Sequence, residues 1–283
     1  MSESYSVITS SQNQYVSLAR GLLNKKEREK RSLFRFDGVK LACEAVKKGV
    51  DFSFALICEG QENSVFEKTE RLYGISRNDL ACCCYTVASH IFERLTEENA
   101  PEGIICVARY IDKLHTHREG GEIETVDDKI LILDAVRDPQ NVGAIVRSAA
   151  AFGVDRILMS DDCADIYNSK AVRASMGALF GMRIDMVREL GEDIKALRAH
   201  GRRVFAATLN DSSVCLGDFE VRQGDCVVIG NEGHGIDEKT VSVCTDSVYI
   251  PMADGVESLN AATAATVLVW EFFGSGRGMK EEI

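Results

Sequence analysis

KILILDAVRDPQNVGAIVRSAAAFGVDRILMS, residues 129–160, is the stretch on which the fold turns. KILILDAV (129–136) and RILMS (156–160) are short runs rich in Ile, Leu and Val. Between them Pro139 marks a turn. Val142, Ile145, Val146, Ala149 and Phe152 then recur at helical spacing and predict a helix over 141–152. Apolar runs that are continuous rather than alternating belong to strands buried on both faces, as in a parallel sheet covered by helices. RVFAATL (203–209) and CVVIG (226–230) extend the pattern, with another helix predicted over 189–200.

Upstream the texture changes. QNQYVSLARGLLNKKEREKR (12–31) reads as one helix. GVKLACEAVKKG (38–49) reads as a second, with Val39, Leu41, Ala42, Ala45 and Val46 along its inner face. FALICE (54–59) and GIICVARY (103–110) read as strands, separated by a charged helix near 65–73 and by the helical VASHIFERL (87–95). This alternation predicts a small N-terminal α/β domain over residues 1–112. HTHREGGEIETVDD (115–128) is polar and carries a Gly-Gly pair, so 113–128 reads as a linker to a C-terminal domain over 129–283.

A chain of 283 residues suits two domains of this size. Its 45% hydrophobic and 27% charged residues exclude a disordered protein. The opening MSESYSVITSSQNQY has neither the basic n-region nor the apolar h-region of a secretory signal. No apolar run approaches the ~20 residues that cross a bilayer. A soluble, cytoplasmic protein without a membrane partner is expected. The ten cysteines form no C-x-x-C pair, and several, such as Cys106 in GIICVA and Cys226 in DCVVIG, sit inside apolar runs. Cys82, Cys83 and Cys84, in a predicted strand, would point alternately to both faces, which suits no single metal. Reduced structural thiols and no metal site are expected.

Three segments carry polar residues at strand ends and helix starts. Alone, the first reads as a cap with a surface arginine and the second as a strand-to-helix turn; only Ser258 and Asn260 of the third go unexplained by packing. In the first, Asn141 opens the predicted helix and Arg147 follows six residues later, about 600° around the axis, so the two face different sides. In the second, VVIGNEGHGI (227–236), a strand runs into Gly230, Gly233 and Gly235 with Asn231, Glu232 and His234 between them. The spacing is G-x-x-G-x-G, not the dinucleotide-binding G-x-G-x-x-G. In the third, YIPMADGVESLNAATAATVLVWEFF (249–273), Ser258 is the expected N-cap of an alanine-rich helix running through Phe273.

Together these segments resemble the SpoU (TrmH) family of RNA ribose 2′-O-methyltransferases, within the SPOUT superfamily. That family's pattern is Asn-x-Gly with a following Arg, then Gly-x-Glu-x-x-Gly, then Ile-Pro-Met ahead of Ser-Leu-Asn. Here these are Asn141, Gly143 and Arg147; Gly230, Glu232 and Gly235; Ile250, Pro251 and Met252; then Ser258, Leu259 and Asn260. RASMGALF (173–180) is similar to the family's intervening segment, and the likeness covers roughly 129–273. Residues 1–112 look like the family's frequent substrate-binding extension, with Asp37-Gly38 where the usual signature ends in Glu-Gly.

The resemblance implies an α/β fold: a mostly parallel sheet closed by a trefoil knot, preceded by a small α/β substrate-binding domain. Threaded connections of that kind are rare enough that periodicity alone would not suggest one. It also implies S-adenosylmethionine as methyl donor, a homodimer with sites completed across the interface, and methylation of a ribose 2′-hydroxyl. By carry-over Asn141, Arg147, Glu232, Ser258 and Asn260 are catalytic, and Thr208, Leu209, Gly230, Gly235, Ile250, Met252 and Leu259 hold the cofactor. An arginine of pKa above about 12 is a poor base, so Arg147 reads as a clamp on phosphate or hydroxyl.

A formal charge of −11, from 33 Lys+Arg against 44 Asp+Glu, places any RNA contact in local clusters. Arg20, Lys25, Lys26, Arg28, Lys30 and Arg31 crowd one short stretch against Glu27 and Glu29. Lys25, Lys26, Lys30 and Arg31 are the candidate RNA contacts, with Lys170 and Arg173 as a second group. Three readings stay open: a 23S ribosomal RNA 2′-O-methyltransferase, which is favoured, a transfer RNA enzyme of the same class, or a non-catalytic RNA-binding assembly factor with the same fold.

Overall fold

The computed structural model describes residues 7–80, 83–121, 128–256 and 258–274. It divides into two compact units, Met1–Ile111 with Asp165–Gly181, and Asp112–Ala164 with Met182–Ile283. The first contains α1 (Gln14–Gly21), α2 (Lys25–Arg31), β1 (Leu33–Asp37), α3 (Val39–Lys47), β2 (Phe52–Cys58), α4 (Glu62–Tyr73), β3 (Cys83–Val87), α5 (Ser89–Leu95) and β4 (Ile104–Arg109). β5 (His115–Arg118), β6 (Ile130–Leu133), α6 (Pro139–Ala151) and β7 (Arg156–Ser160) open the second, and α7 (Ser169–Ser175) returns to the first. β8 (Arg183–Val187), α8 (Leu190–Ala199), β9 (Val204–Ala207), β10 (Val214–Cys215), β11 (Cys226–Ile229), α9 (Glu238–Val243), β12 (Asp246–Tyr249) and α10 (Ala261–Val269) complete the second.

In the first unit the sheet runs β1-β4-β2-β3, with only β2 and β3 parallel. Phe54, Leu56, Ile105 and Val107 project from it onto Val16, Ala19 and Leu22 and onto Ile91, Phe92 and Leu95. The single helix expected over 12–31 is in fact two. Asn24 accepts the N–H of Lys26 at 2.9 Å and so caps a fresh helix, which a hydrophobic pattern does not announce. β1 escaped notice because Arg35 interrupts its apolar residues; the arginine is buried and pairs with Asp37 at 2.7 Å.

The second unit holds an eight-stranded sheet, β10-β12-β9-β11-β6-β7-β8-β5, in which every pair is parallel. All four residues of β6 are fully buried, which explains why its run is continuous. Helix α6 packs against α10, where Ser148 and Thr266 share a hydroxyl–hydroxyl hydrogen bond of 2.8 Å.

Two segments differ from the boundaries expected from sequence. His115–Arg118 lies in the expected linker yet forms an edge strand beside β8. Charge rather than apolar burial holds it: Thr116 donates to Asp185 at 2.6 Å, and Arg118 pairs with buried Asp185 and Asp193. Residues 165–181, expected in the C-terminal domain, pack with the first unit. Arg28 is only 2% exposed and pairs with Asp165 at 2.6 Å, Tyr167 stacks on Tyr110 at 4.0 Å, and Phe180 meets Phe36 at 5.2 Å.

No disulfide links the described cysteines, and Cys43, Cys58, Cys106, Cys226 and Cys244 are buried. Burial pushes the Cys226 thiol up to about 12 and Cys163 up to about 11, so both stay protonated at neutral pH. Of the cysteine triplet, Cys82 lies outside the described residues, and β3 begins at Cys83.

Candidate functional site

Strands β6, β11, β9 and β12 are neighbours in a parallel sheet, so the loops after them emerge at one edge. The register sets Leu133 beside Ile229, Val228 beside Ala206, and Ala207 beside Val248. Carboxyl ends of parallel strands are where open α/β sheets bind ligands. A cavity of about 770 Å³ opens there. Thr208 and Leu209 enter it from the end of β9, Gly230 and Gly235 from the loop after β11, and Ile250, Met252 and Leu259 from the segment after β12. All seven residues expected to hold the cofactor therefore line one cavity, together with Glu232, Ser258 and the small face of α10.

Glycine is required where the loop after β11 closes on itself. A Cβ on Gly230 would lie 2.5 Å from the carbonyl carbon of Gly235 and from the nitrogen of Ile236. Gly235 has φ of +71°, a region that a side chain disfavours. The cavity wall is apolar: Leu209 is 75% exposed, and Met252 and Leu259 are also exposed. Among the described residues the backbone N–H groups of Leu209, Gly230, Ile250 and Leu259 make no hydrogen bond. An apolar slot edged by free backbone donors suits a heteroaromatic ring with nitrogen acceptors, such as adenine.

At the polar side of the site a chain of side-chain hydrogen bonds crosses all three motifs. Asn260 donates to the Asn141 amide oxygen at 3.0 Å, and Asn141 donates to Glu232 Oε1 at 2.8 Å. The backbone N–H groups of Arg137 and Asp138 lie 3.4 Å from the two Glu232 oxygens. Burial works against ionising Glu232. The Asn141 amide and the backbone donors outweigh it and hold the carboxyl below its ordinary range.

Arg147 stands apart, exposed on α6 and without a hydrogen bond or ion pair among the described residues. Ser258 is not the N-cap of the last helix. Asn260 is, accepting from the N–H groups of Ala262 and Thr263 at 2.9 and 3.3 Å, while Ser258 lines the cavity. The α-helix ends at Val269 and continues as a π-helical turn over Trp270–Gly274, short of the single helix expected through Phe273. Sequence reasoning saw Asn231 in the loop but gave it no role; it lines the cavity and donates to the Ala135 carbonyl at 2.8 Å. Sequence reasoning missed the Arg137 and Asp138 backbone donors, which carry no residue signature.

In the first unit Lys25 pairs with Glu29 at 3.7 Å and Arg31 with Glu27 at 3.2 Å. Lys26 and Lys30 are exposed without an ion pair among the described residues. Arg28, counted in the basic cluster, turns inward instead. Arg173 is half-buried on α7, in the first unit, with Glu98 among its neighbours. Among the described residues no group of three His, Cys, Asp or Glu could hold a metal ion, and no helix is long and apolar enough to cross a membrane.

A parallel α/β sheet with an apolar, donor-edged cavity beside a fixed carboxylate fits a domain that holds a nucleoside-bearing ligand. Residues 128–270 match the SpoU rRNA Methylase family, and residues 13–106 match the MRM3-like substrate binding domain. The 23S rRNA (guanosine(2553)-2′-O)-methyltransferase RlmP of Bacillus subtilis is 30% identical over 94% of this chain and 99% of its own. The 23S rRNA (uridine(2479)-2′-O)-methyltransferase of Streptomyces viridochromogenes is 30% identical over 88% of this chain and 85% of its own. The AdoMet-bound rRNA methyltransferase of Sinorhizobium meliloti superimposes with a TM-score of 0.78 at 25% identity, over 96% of this chain and 99% of that one. This chain belongs to the SpoU rRNA Methylase family, and it is a methyltransferase.

Proposed function

We propose that the protein transfers a methyl group from S-adenosylmethionine to a ribose 2′-hydroxyl of 23S ribosomal RNA. The observation that carries this reading is the meeting, at one sheet edge, of the apolar cavity with a carboxylate held by Asn141 and by backbone donors. The names of the two relatives support the choice of RNA, since each is a 23S rRNA 2′-O-methyltransferase aligned over most of both chains. Action on ribosomal RNA supports a cytoplasmic location.

Leu209, Met252 and Leu259 would enclose an adenine ring, and the free N–H groups beside them would meet its nitrogens. When bound, S-adenosylmethionine supplies a methyl made electrophilic by its sulfonium. A ribose hydroxyl is a weak nucleophile, so its proton must be drawn toward an acceptor as the oxygen attacks. Glu232 is that acceptor or its immediate neighbour; Asn141 and Asn260 fix its direction. Ser258, at the cavity wall, orients the hydroxyl.

The exposed Arg147 clamps a phosphate or the hydroxyl with its rigid fork. It completes the site of a second copy. Its lack of a partner among the described residues supports this, as do exposed Val267 on α10, the helix packed against α6, and the 51% exposed Trp270 in the turn that follows. We propose a trefoil threading near the C-terminus, and RNA recognition in the first unit through Lys26 and Lys30.

The test is calorimetric titration with S-adenosylmethionine of the wild type and of Leu259→Trp, whose larger ring fills the proposed slot. Binding by the wild type and its loss in the variant are expected. Equal binding by both would remove the adenine slot from this cavity.

A further inference from the structure

We infer that Asn231 is a positioning residue for methyl transfer: it clamps Ala135 in a left-handed conformation and thereby aims the backbone N–H groups of Arg137 and Asp138 at Glu232. Three non-glycine residues have positive φ among those described: Ser32, Ala135 and Met176. Ser32 and Met176 are the C-caps of α2 and α7, where such a turn is ordinary. Ala135, at φ of +53°, ends no helix. Its Cβ opposes this conformation, and residues held this way persist only where their surroundings over-determine them.

Both backbone polar groups of Ala135 are held by side chains. Its N–H donates to Ser160 Oγ at 2.8 Å, and its carbonyl accepts from Asn231 Nδ2 at 2.8 Å. The other end of the Asn231 amide accepts from the N–H groups of Gly233 and His234, at 2.9 and 3.1 Å. One side chain thus ties the loop after β11, which carries Glu232, to the loop after β6, which cradles it. Two and three residues beyond Ala135, the N–H groups of Arg137 and Asp138 stand 3.4 Å from the Glu232 oxygens. That is the long limit for a hydrogen bond, so a small loop displacement abolishes both. An aspartate here could accept but not donate; only the amide serves both loops.

This inference rests on the proposed role of Glu232, and one set of variants separates the two. kcat, and KM for both S-adenosylmethionine and 23S rRNA, are measured for wild type, Glu232→Gln, Asn231→Ala, Ser160→Ala and the double variant Asn231→Ala with Ala135→Gly. Asn231→Ala and Ser160→Ala, the latter on the far side of Ala135 from the cofactor cavity, are each expected to lower kcat about tenfold with both KM values within about twofold. Glycine adopts the left-handed conformation without the clamp, so the double variant is expected to recover about fivefold over Asn231→Ala. Denaturant midpoints are measured beside turnover, because glycine at a left-handed position also relieves a purely structural loss; kcat is expected to change without a matching shift in midpoint. Unchanged kcat in both single variants, or a double variant no better than Asn231→Ala, would overturn the inference. Wild-type turnover by Glu232→Gln would instead overturn the role of Glu232.

Discussion

Asn141 donates its amide to Glu232 and accepts that of Asn260, so one residue sets the protonation state of the site and its geometry together. Burial raises the Glu232 pKa, and the Asn141 hydrogen bond is the largest of the contributions that bring it down below the ordinary value of about 4.3. In the proposed mechanism Glu232 works ionised, so its lowered pKa is expected to keep activity intact as pH falls toward the carboxylate range. Arg137 and Asp138 flank the carboxylate through their backbone. Asn141→Ala removes the amide, and the acid limb of the kcat–pH profile is expected to move to higher pH with a lower plateau. An acid limb that stays in place would deny the amide this role. Asn141 and Glu232 are legible in the sequence through the family resemblance of their motifs, Asn-x-Gly and Gly-x-Glu-x-x-Gly. The Ala135 conformation and the two backbone donors are not, since an N–H looks the same in every residue.

At the scale of elements, the site depends on one close approach and one cap. Alanine at position 230 would put its Cβ 2.5 Å from the Gly235 backbone, where no flexible side chain can yield. The substitution is expected to cost about 1–3 kcal/mol in unfolding free energy and to abolish cofactor binding. Asn260→Ala loses a helix cap worth about 1 kcal/mol as well as the anchor of Asn141, so its fall in kcat should exceed what its stability alone explains. Denaturant unfolding alongside turnover measures both. The strands read correctly from sequence, β2, β4, β6, β7, β9 and β11, are those whose residues are mostly apolar and buried. Three of the strands missed carry charge that pairs in the fold: buried Arg35 in β1, partly buried Arg118 in β5, and buried Asp185 in β8, which takes ion pairs from Arg118 and Arg156. Hydrophobic periodicity cannot see a strand whose polar groups pair only after folding.

For the whole molecule, a charge of −11 means that RNA affinity must come from the placement of basic groups. Lys25 and Arg31 already have carboxylate partners on α2, which leaves Lys26 and Lys30 for phosphate. Replacing those two by Gln is expected to weaken RNA binding and to reduce the slope of log affinity against log salt by about 1.4. An unchanged slope would move the RNA surface elsewhere. The proposed completion of the site across a two-fold interface makes a further prediction. Arg147→Ala and Glu232→Gln, each inactive alone, are expected on mixing to regain about a quarter of wild-type activity, because half the dimers then carry one intact site. No recovery after subunit exchange would confine the site to one chain.

The most direct test is to incubate the purified protein with 23S rRNA lacking the modification and with methyl-labelled S-adenosylmethionine, then digest the RNA and identify the labelled nucleoside by mass spectrometry. A single 2′-O-methylated nucleotide, absent when Glu232→Gln replaces the wild type, is the expected result. Label on a base, or no label from a protein that binds S-adenosylmethionine and RNA, would contradict ribose methylation by this site.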